Sequence, residues 1–435
     1  MKITTQMDGD MNTSATSQFK QEQFPDHSES YLKYQQYQAQ LDALSNEDSA
    51  RPRLKIAIVT ETWPPEINGV ALSMMQLCQG LQRRGHEILL VRPIQKTACN
   101  EFHPNKECLV VAQAIPKYPG MQFGWPQYLK VSKAFEKFSP DVVHIVTEGP
   151  LGLMALQAAK SKKIAVSSGF HSPFQDFSRF FDLAFLVKPI QRYLTWFHNS
   201  TNLTCVPSPY TEQVLRSIGV TCPLKVVGRG VDTEKFSPKH RSQQLRQQWG
   251  VDANTRVMLY VGRVSPEKEV DVLIQAFHAL QAQQGQNFKF VIVGDGPDRA
   301  RLSSLSNSKD VIFMGSLSGK ELTAAYASAD VFTYASQSDT FGNVILEAIA
   351  SGLPVVAYNY VAAQQHVQHG VTGWLSPLGD VTDLTQSICT LPALPQLRKM
   401  GLLASASVQQ NSWQLPIQQL EQALYQVAEA FSMPS

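Results

Sequence analysis

Short apolar runs alternate along this chain with longer stretches whose apolar residues recur every three or four positions. Lys55-Ile-Ala-Ile-Val59 has the continuous apolar character of a strand covered on both faces. A loop rich in Pro and Gly, Thr60 to Gly69, separates it from Val70–Arg84, where helical spacing returns and Gly85 supplies a stop. Ile88–Val91 reads as the next strand. Further strands are predicted at Asp141–Val146, Ile164–Ser168 and Leu203–Val206, the last followed by Pro207-Ser-Pro and a helix ending at Gly219. Strand, helix, strand in this order predicts an α/β fold with a doubly wound parallel sheet.

The pattern then restarts. Arg256–Gly262, Phe288–Val293, Asp330–Ala335 and Pro354–Ala357 are apolar runs of strand length. Val270, Leu273, Ile274, Phe277 and Leu280 form one helical stripe, with Ser265 as cap and Pro266 at the first helical position. A small-residue helix ends at Gly352, and Gly370–Leu375 reads as a hairpin-like turn. A last helix runs from Trp413 to about Phe431. Residues 51–232 and 233–408 are therefore expected to be two domains, with 409–435 a closing helix. Residues 1–50 are rich in Gln, Ser, Asp and Glu. They are expected to be a disordered polar tail with a short helix near Tyr31–Leu44.

Composition narrows the class. At 43% hydrophobic and 17% charged residues over 435, two separate cores are affordable. No run reaches 18 apolar residues, and the polar N-terminus lacks a signal-peptide core, so a cytoplasmic protein is expected. Six cysteines without a CxxC pair predict reduced thiols and no zinc site. The net charge of +2 hides an asymmetry. Residues 51–236 carry 22 Lys/Arg against 13 Asp/Glu, net +9, whereas residues 237–435 are net −2. An anionic partner for the first domain follows, and a membrane surface is expected in preference to nucleic acid.

Candidate chemistry gathers around Asp339-Thr-Phe-Gly-Asn-Val-Ile-Leu-Glu347. The segment reads as a loop with an acid, then a helix with an acid one turn in, on the face of Asn343. Gly342 allows close backbone approach, and the free N–H groups of the following helix suit phosphate. Arg263 and Lys268 at a strand end can converge on a pyrophosphate. Gly69 stands at a loop-to-helix junction. His171 lies just past a strand end, where α/β sheets bind ligands, and Glu148 occupies a neighbouring loop. Gly294-Asp-Gly-Pro-Asp-Arg299 half-matches a dinucleotide fingerprint, but Arg299 replaces its third glycine. Gly315–Lys320 is one residue too short for a P-loop.

Taken together, residues 54–430 resemble the retaining GT-B glycosyltransferases of family 4. The resemblance rests on the acid-x7-Glu segment, the Gly262-Arg263-x4-Lys268 run, the crossover Lys225–Pro238, and Glu148-Gly-Pro-Leu-Gly152. It is strongest toward the branch containing GDP-mannose-dependent mannosyltransferases and sulfoquinovosyl or glucosyl transferases of glycolipids. It implies two Rossmann-like domains facing a cleft, an acceptor domain first and a donor domain second, with the last helix crossing back. It implies that Glu347 binds the nucleotide ribose and Asp339, in place of the usual Glu, the donor sugar. Arg263 and Lys268 would neutralise the leaving pyrophosphate, and His171 would contact the sugar and reacting face. Gly315 and Leu317 would hold the base, with Gly69, Gly294, Phe341, Gly342, Asn343 and Val344 completing the nucleotide-sugar set. The donor is expected to be a GDP- or UDP-sugar and the acceptor a lipid or glycan hydroxyl, without metal or other cofactor. An epimerase or phosphorylase on the same fold, or a non-catalytic sugar-nucleotide-binding protein, are the alternatives.

Overall fold

The computed structural model describes residues 51–432 apart from 67–68, 96, 98–100, 115–121, 172–186, 286, 340 and 410–411. The proposed tail, with its helix near residues 31–44, lies outside the described residues, as do residues 174–186 of the aromatic and basic segment Phe174–His198.

Two parallel sheets carry the fold. The first contains β1 (Lys55–Val59), β2 (Glu87–Pro93), β3 (Lys106–Val110), β6 (Val142–Ile145), β7 (Ala165–Gly169), β8 (Leu203–Val206) and β9 (Leu224–Val226), in the order β3-β2-β1-β6-β7-β8-β9. A short antiparallel ribbon, β4 (Ala112–Ala114) with β5 (Gln122–Gly124), stands beside it. Helices α1 (Gly69–Arg83), α2 (Tyr128–Phe138), α3 (Pro150–Ser161), α4 (Val187–Asn199) and α5 (Pro209–Ser217) supply the connections. Strand alternation divides the core in two. Ile56 and Ile58 of β1 join one apolar cluster with α1, while Ala57 and Val59 join another with α2 and α3.

The second sheet runs β12-β11-β10-β13-β14-β15, again all parallel. Its strands are β10 (Arg256–Val261), β11 (Phe288–Val293), β12 (Val311–Gly315), β13 (Val331–Tyr334), β14 (Val355–Tyr358) and β15 (Gly373–Ser376). The helices are α6 (Gln243–Gln248), α7 (Val270–Gln284), α8 (Arg299–Ser306), α9 (Gly319–Ser328), α10 (Asn343–Ala350), α11 (Val361–His366), α12 (Val381–Cys389) and α13 (Leu394–Ser407). One continuous core covers both faces of the sheet.

Two local expectations change. Residues 370–375 do not form a hairpin: Gly373–Ser376 pairs in parallel with β14 as the edge strand, its register Val355 to Gly373. A four-residue edge strand opening on glycine carries too little apolar pattern to be told from a turn. Ser265 makes no cap bond to a helix. Its hydroxyl donates to Glu267 at 2.6 Å, Pro266–Lys268 is a single 3-10 turn, and α7 begins only after Glu269 takes a left-handed φ of 50°.

The last helix, α14 (Gln414–Ser432), buries Ile417, Leu420, Ala423 and Leu424 in the first domain's core against α1. A buried carboxylate fixes its rotation: Glu421 accepts from Arg84 at 2.8 Å and from His86 at 2.6 Å. His86 Nδ1 accepts the Leu54 N–H at 3.0 Å, so the ring proton sits on Nε2 and points at Glu421.

Candidate active site

Every candidate side chain lies beyond the C-terminal end of a parallel strand or at the start of the helix that follows, because a doubly wound sheet opens there. In the second domain, β10 delivers Arg263 and Lys268, β11 delivers Gly294, β12 delivers Gly315 and Leu317, and β13 delivers Asp339. In the first, β1 leads to Glu61, β6 to Glu148 and β7 to His171.

Lys268 and Asp339 are held together. The Lys268 ammonium donates to Asp339 Oδ1 at 2.8 Å and to Ser336 Oγ and the Ser338 carbonyl, both at 3.3 Å. Tyr334 donates its hydroxyl to the other Asp339 oxygen. Tyr334 stacks on Tyr260, whose hydroxyl donates to the Arg263 carbonyl at 2.8 Å. Burial and then the Asp339 charge push the Tyr334 phenol well above its usual range, so it stays a donor. The lysine and the acid, expected on different parts of a nucleotide-sugar, thus form one ion pair beside the exposed Arg263.

Gly342 precedes α10 with φ 81°, a conformation that disfavours any residue with a Cβ; the nearest atoms would leave room for one. Its role is therefore conformational, and it aims the α10 N-terminus into the cleft. Phe341 is buried beneath it, and the Val344 carbonyl accepts from Tyr326 at 3.4 Å. Glu347, one turn in, accepts the Tyr326 hydroxyl at 2.9 Å. Burial pushes the Glu347 carboxyl up to about 7, with the Tyr326 bond opposing. Asn343 reaches across to the first domain, donating to Ser73 Oγ at 3.1 Å and to the Gly69 carbonyl at 3.4 Å.

Gly294 has a structural reason to be glycine. A Cβ there would stand 1.8 Å from the Gly262 carbonyl oxygen, and its N–H donates to the Gly315 carbonyl at 2.8 Å. The half-matching fingerprint therefore packs β11 onto the end of β10. Gly315 takes φ 72°, Leu317 packs on the core, and Arg299 pairs with Asp295 at 3.0 Å.

In the first domain a buried polar cluster surrounds His171. Glu148 and His198 lie 3.3 Å apart, and His198 Nδ1 meets Ser168 Oγ at 3.0 Å. Tyr193 donates to the Glu148 carbonyl at 2.5 Å. Glu61 accepts the Leu151 N–H of α3 at 2.8 Å; burial raises its carboxyl to about 7, that bond opposes, and Glu148 adds to the rise. Arg229, buried in the crossover, donates to His171 Nδ1 at 3.0 Å. Sequence reasoning passed over Arg229 and Glu61. The available signals were an arginine between two glycines at a domain crossover and an acid in the loop after the first strand.

Two doubly wound sheets whose strand ends bring acids, a cation pair and a helix start to one cleft form the GT-B architecture. Comparison with known proteins agrees. Residues 67–235 match the family described as Glycosyltransferase Family 4, and residues 241–400 match Glycosyl transferases group 1. A GDP-mannose-dependent alpha-mannosyltransferase of Mycobacterium tuberculosis is 31% identical over 83% of this chain and 93% of its own length. Sulfoquinovosyl transferase SQD2 of Arabidopsis thaliana is 28% identical over 90% of this chain and 77% of its own. The alpha-monoglucosyldiacylglycerol synthase of Streptococcus pneumoniae is 26% identical over 70% and 71%. Among solved structures, sucrose-phosphate synthase from Thermosynechococcus elongatus superposes with a TM-score of 0.71 at 22% identity, covering 87% of this chain and all of that one. The chain belongs to the group 1, family 4 glycosyltransferases and is a transferase of the GT-B fold.

Proposed function

We propose that this glycosyltransferase moves a hexosyl group from a GDP- or UDP-sugar to a hydroxyl of a lipid or glycan acceptor, with retention at the anomeric carbon. The observation that carries the reading is the convergence of Arg263, Lys268, Asp339 and the α10 N-terminus on one edge of the second sheet. Glu347 stands one turn inside that helix. The cations and helix start compensate charge growing on the departing diphosphate, and Glu347 accepts from ribose hydroxyls. Asp339, steered by Lys268 and Tyr334, meets the sugar. The anomeric C–O bond to phosphate breaks as the acceptor oxygen bonds to the same face, and a phosphate oxygen takes the acceptor proton. In this scheme cationic side chains do the work a divalent metal does elsewhere, so turnover survives excess chelator. The relatives support the substrate class: one is named for GDP-mannose, another for glucosyldiacylglycerol. A thermal-shift panel of nucleotide-sugars tests it. Stabilisation by one GDP- or UDP-hexose is expected, and no response to any member would count against it.

A lipid acceptor calls for a membrane-facing surface, and the basic residues of the first domain divide between the two edges of its sheet. Arg83 and Arg84 end α1, and Lys160 to Lys163 end α3, so these lie at the N-terminal edge of the sheet, away from the cleft. Two are also engaged, Arg84 with Glu421 and Lys162 with Glu136. The cleft edge instead exposes Ile94, Val111, Trp125 and Leu129, the last 72% exposed, around the β4–β5 ribbon. Lys130 and Lys133 line the exposed face of α2 beside them. Apolar side chains next to a basic helix face suit peripheral attachment to an anionic bilayer. Among the described residues no helix is long and apolar enough to cross one.

A further inference from the structure

Arg229 stands out among the buried charges. It is 8% exposed, and its guanidinium reaches the Gly228 carbonyl at 3.2 Å, the Val227 carbonyl at 3.4 Å and His171 Nδ1 at 3.0 Å. Among the described residues no carboxylate forms an ion pair with it. Burial lowers its pKa to about 10, which still leaves it a cation at neutral pH. A buried cation without a counter-charge is costly, so its retention at a domain crossover asks for a reason.

The reason lies in the imidazole it touches. A guanidinium only donates, so His171 Nδ1 must accept and the ring proton must sit on Nε2. The ring is further confined by the end of β7: a Cβ at residue 169 would stand 2.5 Å from His171 Nε2, so only a glycine there leaves space for this orientation. Protonating His171 at Nδ1 would place two donors face to face in a buried pocket. Other positive or neutral groups press the same way. Burial first, then Arg229, and then His144 of β6 and His198 of α4 hold His171 well below the ordinary histidine range.

We infer that Arg229 is a positioning residue for the transfer reaction: by donating to His171 Nδ1 it locks that imidazole as the neutral Nε2–H tautomer, with Nε2 buried against the end of β7. This rests on the glycosyl transfer proposed above and on the place beside the reacting face that the family resemblance implies for His171. A neutral ring places no second full positive charge beside an anomeric carbon that itself becomes electron-poor as its bond to phosphate breaks. The linkage also joins the first domain's strand end to the crossover that leads into the donor domain.

The test uses 15N-histidine-labelled full-length protein, with the His171 signals assigned by His171→Gln. Wild type should show the Nε2–H tautomer and no titration of His171 between pH 5.5 and 8. Arg229→Gln should populate the Nδ1–H tautomer and bring His171 titration into that range. Turnover should fall roughly 10-fold or more, as expected when the partner orienting a histidine is lost, with donor KM changed less than about two-fold. Arg229→Lys, which keeps charge and a donor, should retain the Nε2–H tautomer and recover part of the turnover, and it carries the test if Arg229→Gln does not fold. An unchanged tautomer and titration in Arg229→Gln would overturn the inference, as would loss of the Nε2–H tautomer in Arg229→Lys where only that variant folds. So would an altered tautomer with unchanged turnover, which leaves glycosyl transfer itself standing. Absence of transfer by wild type would instead strike the proposed function, while the tautomer reading is made without any substrate.

Discussion

At the scale of single residues, the Lys268–Asp339 pair governs what each member can do. Removing Arg263 or Lys268 as alanine should lower turnover by about 10²–10³, the size of effect expected when a main electrostatic donor to the transition state is lost. Because Lys268 and Asp339 share one ion pair, Lys268→Ala and Asp339→Asn together should cost clearly less than the sum of the two alone. Additive losses in a kinetic double-mutant cycle would show that the pair does not act as a unit. Glu347 makes a pH prediction. Its carboxyl is raised to about 7, so it is largely protonated below that value, and the protonated form is the poorer acceptor for ribose hydroxyls. Affinity for a nucleoside diphosphate should therefore fall as pH drops, roughly 10-fold for each unit below 7. Calorimetry from pH 6 to 8 on wild type and Glu347→Gln isolates this, since the ligand's own phosphate titrates in both. A matching slope in the variant would remove Glu347 from the ribose. The positions of these acids and cations, at strand ends and one turn into a helix, were readable from the pattern, and the roles expected of them came from the family resemblance. That Lys268 and Asp339 meet was not readable, since the contact joins loops after β10 and β13, 71 positions apart. Arg229 lay in a crossover without periodicity, and nothing local marks it as buried.

At the scale of elements, α14 is the clearest case of one segment completing another's core. Glu421 is buried, and burial opposes its charge. The hydrogen bonds from His86 and Arg84, with the charge on Arg84, overcome that and hold its carboxyl below the usual range. A carboxyl depressed in the fold contributes stability above its unfolded value, and that contribution is lost as pH falls through the depressed value. Glu421→Gln should accordingly lower the melting temperature at pH 7 by the equivalent of about 1–3 kcal/mol. The gap to wild type should shrink toward pH 4. A pH-independent gap would mean that shape, not charge, seats the helix. Long buried strands such as β10 and β11 were legible because a strand covered on both faces is continuously apolar. The edge elements β3, β4, β5 and β15 were not, being short and half-exposed, and β15 was read as a turn.

At the scale of the molecule, the two sheets present their C-terminal edges to one cleft, bridged by Asn343 on one side and Ser73 and Gly69 on the other. Net charge led to the expectation of an anionic partner for the first domain, yet that domain's most conspicuous basic residues fall on the edge away from the cleft. Composition sums charge over a domain and cannot say which edge of a sheet carries it. If the cleft-side patch is the attachment surface, Trp125→Ser with Leu129→Ser should sharply reduce co-sedimentation with vesicles containing anionic lipid at low salt. Arg83→Ser should leave it nearly unchanged. The reverse pattern would move the surface to the far edge. The central claim, sugar transfer with retention from a nucleotide-sugar, is tested most directly by the configuration of the new bond. NMR of the product formed from GDP-α-mannose or UDP-α-glucose, with a lipid acceptor and excess chelator, should show an α-linked hexose and acceptor-dependent release of the nucleoside diphosphate. A β-linked product, or nucleotide release that ignores the acceptor, would contradict it.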